Sequence, residues 1–275
     1  DHDANPVGGT SEFIGVHGVQ TLSVLGGYAP GNLIGPAYGA SYLLARTEDD
    51  ASETPLEEDN WVAAMEWADS IGVDVVSSSV AYLDFDPGHV SLTWQDMDGD
   101  TAVITRAADL AVGRGIVVVN SAGNGGQAVA GQNTLMAPAD GDSVITVGGT
   151  WPDGSRYTTS SVGPTTDDPP RTKPDVMAQG ATVTCADPSG PAVYGVGTGT
   201  SFACPLAAGV VALLLQAQPA ATPMQIATAL RSTASRAASP DNLNGWGVVN
   251  APAALAHLNV AVRPASWSAV KKAYR

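Results

Sequence analysis

Gly199-Thr200-Ser201-Phe202-Ala203-Cys204-Pro205 opens the stretch that decides the fold. It leads into residues 205–215, PLAAGVVALLL, a run with almost no polar face. As a helix such a run is buried all round. A serine at the mouth of a buried helix has two chemical assets. Its Oγ faces the positive end of the helix dipole, and the first backbone N–H groups lack intrahelical partners. Those donors suit a developing oxyanion. The same serine could equally be an ordinary N-cap, so the rest of the chain has to decide.

Outward from this helix, strand and helix patterns alternate. Residues 116–119 and 143–148 are β-branched runs of the kind buried on both faces of a sheet. Residues 42–46, 73–76 and 174–177 read as further strands. Helices are expected over 17–25, 53–70, 101–113, 222–235 and 251–258, with Asp100 capping the third. Thr222 at the N-cap and Pro223 behind it mark the fourth. This order predicts an α/β domain, a mainly parallel sheet with helices on both faces. Ligands then bind beyond the carboxyl ends of the strands.

Four blocks, in order, resemble the subtilisin-like serine proteases. The helix-opening GTSFACP resembles that family's nucleophile motif. Val16-His17-Gly18-Val19-Gln20-Thr21 is similar to the block of the general base. Val118-Val119-Asn120-Ser121-Ala122-Gly123-Asn124-Gly125 resembles the strand and turn of the oxyanion asparagine. Lys173-Pro174-Asp175-Val176-Met177-Ala178 is similar to the strand before the nucleophile. The resemblance covers residues 13–257 and implies a three-layer subtilisin-like fold. It implies Ser201 as nucleophile, His17 as base, and Asn124 as oxyanion donor beside the Ser201 backbone N–H. Ser79, Val80 and Ala81 match the strand that pairs with substrate backbone by β-augmentation. Each residue also has a structural alternative: a hydrogen-bonded histidine, an αL turn asparagine, a plain strand end.

The chain departs from the family pattern in several places. The second histidine of the base block is Gln20, and Ala81 replaces a glycine, adding a methyl on the substrate side. Of possible triad acids only Asp1 and Asp3 closely precede His17, and neither follows a strand. The expectation is therefore that the acid lies outside this chain, on an upstream segment. Asp96-Met97-Asp98-Gly99-Asp100 resembles a calcium loop but lacks its closing Glu, so no metal or cofactor is required.

The 275 residues carry a net charge of −15 with three lysines, which excludes a nucleic-acid surface. No apolar run reaches the ~20 residues of a membrane span, so no membrane partner is expected. The expected partners are polypeptide substrates and a missing N-terminal segment or prodomain. The resemblance implies a location outside the cytoplasm. Cys185 and Cys204 form no disulfide framework, and their pairing is left open. The peptidase domain is expected over residues 1–258, followed by a basic tail over 259–275. Two other functions stand against a protease. One is a degenerate domain kept for binding or scaffolding. The other is a nucleotide-binding domain, whose Gly-rich stretches lack the Walker lysine and the G-x-G-x-x-G pattern.

Overall fold

Six helices and eight short strands make up a computed structural model that describes residues 16–49, 51–127 and 131–261. The chain enters through α1 (Val16–Gly26) and a small hairpin, β1 (Tyr28–Ala29) and β2 (Leu33–Ile34). Then come α2 (Pro55–Ile71), β3 (Val75–Ser78), α3 (Val103–Gly113), β4 (Val117–Ser121) and β5 (Ile145–Thr150). β6 (Val176–Gln179) and the hairpin β7 (Val183–Ala186) and β8 (Tyr194–Gly197) lead to α4 (Thr200–Ala217). The chain closes with α5 (Pro223–Thr233) and α6 (Ala251–Ala261).

β3, β4, β5 and β6 form one parallel sheet in that spatial order. Every residue of β4 and β5 is buried, as their unbroken apolar runs require. Strand alternation sorts the side chains. Val117 and Val119 pack with α4, α5 and α6, while Val118 packs with Trp61 of α2 and Ile104, Ala108 and Val112 of α3. Three layers result. α4 has the length and mean hydropathy (1.7) of a membrane helix, but here it is the central helix of one layer. It approaches the segment after β2 so closely that a Cβ on Gly209 would lie 2.2 Å from Pro36 Cγ.

Two capping boxes set helix starts: Thr54 with Glu57 on α2, and Thr222 with Gln225 on α5. Asp100 is not the cap of α3. That position falls to Ala102, and Asp98 takes the polar work, accepting from the N–H groups of Asp100 and Thr101 and from Thr101 Oγ1. The Asp96 to Asp100 loop is thus a capped turn. α6 runs three residues past the expected end at Leu258, to Ala261.

Residues 42–46 are not a strand. Backbone of strand character needs a neighbouring strand to take its N–H and C=O groups, and among the described residues no strand pairs with this segment. Among the described residues β3 pairs on one edge, with β4. Between the other edge of β3 and the 42–47 segment lies a cavity of about 1680 Å³. Ala64, Met65 and Ala68 of α2 and Ala208, Ala212 and Leu215 of α4 line it from the two helical layers. Among the described residues no strand occupies it.

Candidate active site

The carboxyl ends of the parallel strands converge on the first turn of α4. β6 ends just before Gly180, whose carbonyl accepts the Gly199 N–H at 2.7 Å. Gly199 is the N-cap of α4, with φ +145°, a backbone region that favours glycine. Ser201 is therefore the second helical residue and is not spent as a cap. β3 ends at Ser78, and Ser79 follows directly against the helix. Its Oγ donates to the Ser201 carbonyl at 2.9 Å, and Ser201 Oγ makes a long 3.5 Å contact with the Ser79 carbonyl.

Asn124 lies three residues beyond β4. Its Oδ1 accepts from the Thr200 N–H at 3.0 Å and from Thr200 Oγ1 at 3.2 Å. A backbone N–H can only donate, so these contacts fix which way the amide points. Nδ2 is left as the donor at the cleft wall. Thr200 Oγ1 also lies 3.1 Å from the Gly123 carbonyl, tying the turn to the helix.

His17 stands in the first turn of α1. Its ring meets Phe202 edge-on, with centroids 6.3 Å apart and planes at 84°. Phe202 in turn fills the space over Gly197, where a Cβ would lie 2.1 Å away. The imidazole edge reaches solvent through the open cleft, but the surrounding protein mass desolvates it and lowers its pKa from 6.5. His17 makes no hydrogen bond to Ser201 in this structure. His17, Asn124, Ser201, Ser79, Val80 and Ala81 all line one cleft, which opens into the groove beside β3. Asp1 and Asp3 lie outside the described residues.

Behind the cleft, Lys173 is fully enclosed. Its Nζ donates to the Val144 carbonyl (2.8 Å), Thr146 Oγ1 (3.0 Å) and Asp175 Oδ2 (2.9 Å). Arg231 pairs with the other Asp175 oxygen at 3.2 Å. Burial opposes ionisation of Asp175, but the two cations outweigh it and lower its pKa. This network fixes β6, and through Gly180 the start of α4. Cys185 and Cys204 are both buried and free. Cys204 Sγ lies 3.2 Å from the Ser78 carbonyl, beneath the site, while Cys185 packs with Val24, Val183 and Phe202. No cluster of three or more His, Cys, Asp or Glu that could hold a metal ion occurs among the described residues.

Reading the sequence alone missed Thr200 as the holder of Asn124 and Met136 as a cleft residue. Thr200 sits inside the GTS motif, so a signal for it existed. Met136 had none, because only the fold brings it to the cleft.

A serine, an imidazole and an asparagine amide gathered at the carboxyl ends of a parallel sheet, between two helical layers, define the subtilisin-like class of α/β folds. The chain belongs to the Subtilase family (peptidase S8), whose sequence model matches residues 7–247. It is 35% identical over 193 residues to subtilisin DY of Bacillus licheniformis, covering 70% of this chain and 61% of that protein. It is 32% identical over 241 residues to subtilisin NAT of Bacillus subtilis subsp. natto, covering 87% and 55%. The chain thus spans 55–61% of the length of these two relatives. In fold it is similar to the self-cleaved protease domain of PatA, with TM-score 0.70, 24% identity, and 90% and 85% of the two chains covered. It is similar also to MycP1 with its N-terminal propeptide removed, at TM-score 0.66, 24% identity, and 86% and 77% covered.

Proposed function

We propose that this domain is a serine endopeptidase acting on polypeptides outside the cytoplasm. Ser201 Oγ attacks the scissile carbonyl. His17 takes its proton and returns it to the leaving amine. Asn124 Nδ2 and the Ser201 backbone N–H donate to the tetrahedral oxyanion. Substrate lies extended along Ser79, Val80 and Ala81, adding a strand at the edge of the cleft. The observation that carries this reading is the amide of Asn124. Thr200 pins its oxygen, so its N–H₂ is pre-set beside the first turn that holds Ser201. The same contact satisfies the first N–H of α4, so one orientation serves both the helix start and the proposed donor. Membership of the subtilase family supports the same reading.

The triad acid, in this proposal, comes from a strand seated in the groove beside β3, carried in cis or as a separate segment. The groove supports this by its form: an edge of β3 with which no described strand pairs, apolar linings from both helical layers, and His17 at the cleft it opens into. A parallel strand there would end near His17, where a carboxylate would orient the imidazole and stabilise its protonated form. The scheme requires no cofactor. The test is hydrolysis of casein by the domain and by Ser201→Ala. Cleavage that disappears in the variant supports the reading. Cleavage that persists refutes it.

A further inference from the structure

Beyond the nucleophile the cleft narrows into a slot whose far end is a methionine. One wall is Ser79, Val80 and Ala81, held to α4 through Ser79 and to β4 by Asn120 Nδ2, which donates to the Val80 carbonyl at 3.3 Å. Ser121, Gly123 and Asn124 line it from the β4 side. At the back the walls are closed by a reciprocal backbone pair. Tyr82 N–H donates to the Ala137 carbonyl at 2.9 Å, and Ala137 N–H to the Tyr82 carbonyl at 3.0 Å. Met136, next to that pair, is half-buried and lines the same cavity as Ala81, Ser121, Gly123 and Ser201. Its side chain lies on Gly123: a Cβ there would stand 3.0 Å from both Met136 Cγ and Sδ. Gly123 has φ +102°, so the close approach and the backbone turn both require glycine.

We infer that Met136, together with the Ala81 methyl, makes this slot shallow, so that the enzyme cuts after small side chains. The inference rests on the proposed protease reading and deepens it. A substrate paired with Ser79, Val80 and Ala81, with its carbonyl at Ser201, has that residue's side chain between the two walls. Alanine or glycine fits above the thioether. Phenylalanine or leucine must displace it, and the space over Gly123 is already filled by Met136 and by Ser161 Oγ, which lies 2.9 Å from the same Cβ position. Rejection of an oversized side chain by a pocket of this kind is expected at about 10–200-fold in kcat/KM.

The test is a set of fluorogenic peptides identical except for Ala, Leu or Phe before the scissile bond. The native domain should cleave the Ala peptide at least about tenfold faster than the Phe peptide. Met136→Ala should narrow or reverse that ratio, and Ala81→Gly should move it the same way by less. A native preference for Phe, or a ratio that neither variant shifts, overturns the inference. A second arm reads binding without chemistry, as fluorescence anisotropy of the same peptides on Ser201→Ala. Tighter binding of the Ala peptide supports the shallow slot; equal binding, or none, overturns it. The two ideas fail differently. Absence of Ser201-dependent cleavage with the size order intact in binding removes the protease reading alone. Ser201-dependent cleavage without a size order removes this inference alone.

Discussion

Asn124 is the residue on which the proposed oxyanion hole rests. With Thr200 holding Oδ1, Asn124→Ala should lower kcat by about 10²–10³ with little change in KM. That size is the one known for a side-chain oxyanion donor in subtilisin itself. Steady-state kinetics on a peptide substrate checks it, and a change confined to KM would make Asn124 a binding residue instead. His17 carries the pH dependence. Desolvation lowers its pKa from 6.5, so the imidazole loses its proton at a lower pH than a solvated one. Activity of the domain by itself should rise with pH through a midpoint below 6.5. A carboxylate brought into the groove would favour the imidazolium and move the midpoint up. A pH–rate profile with and without an acid-bearing segment reads both.

Glu53 titrates in the opposite sense. Desolvation first, then the charges of Glu57, Glu48 and Asp86, raise it from 4.5 to about 7. Between those values the folded chain keeps a proton that the unfolded chain releases. Stability therefore falls as pH rises from about 4.5 to about 7. Glu53→Gln should flatten the fall in Tm over that window; an unchanged slope would place the effect elsewhere. Lys173 is a stability residue. Lys173→Met leaves Asp175 enclosed with Arg231 as its remaining cation, which should destabilise the fold by about 3–5 kcal/mol in denaturant titration.

At the scale of elements, α4 organises the molecule, and one of its closest contacts is with Pro36, just after β2. Gly209→Ala would drive a methyl into Pro36, so an otherwise helix-favouring change should destabilise by about 1–3 kcal/mol in the same titration. Much of this level was legible in the sequence. The β-branched runs became β4 and β5, and the apolar run became α4, because local pattern and burial agreed. Residues 42–46 failed for a non-local reason. Their pattern suits a strand, but a strand exists only beside a partner, and among the described residues none pairs with them. The hairpins β1–β2 and β7–β8 escaped notice because pieces of two to four residues carry little periodic signal. Asp100 lost the capping role to a neighbour two residues away, a choice that turn geometry makes and residue type does not.

For the molecule as a whole, motif order along the chain anticipated the gathering of His17, Asn124 and Ser201 at one cleft. What no motif conveyed is the space between β3 and residues 42–47, because a groove is defined by what surrounds it. Thr200 and Met136 were hidden for the same reason, since their roles arise only when distant segments meet. The groove also sets the expected activity of the domain alone. If the triad acid arrives on a strand seated there, as proposed, a segment that fills the groove should raise turnover by about 10⁴. The account stands most directly on the identity of the nucleophile. Treatment with a fluorophosphonate, followed by mass spectrometry of the digested protein, locates it. A single adduct on Ser201, formed more slowly in His17→Ala, is the predicted result. An adduct on another residue, or equal labelling in Ser201→Ala, would contradict it.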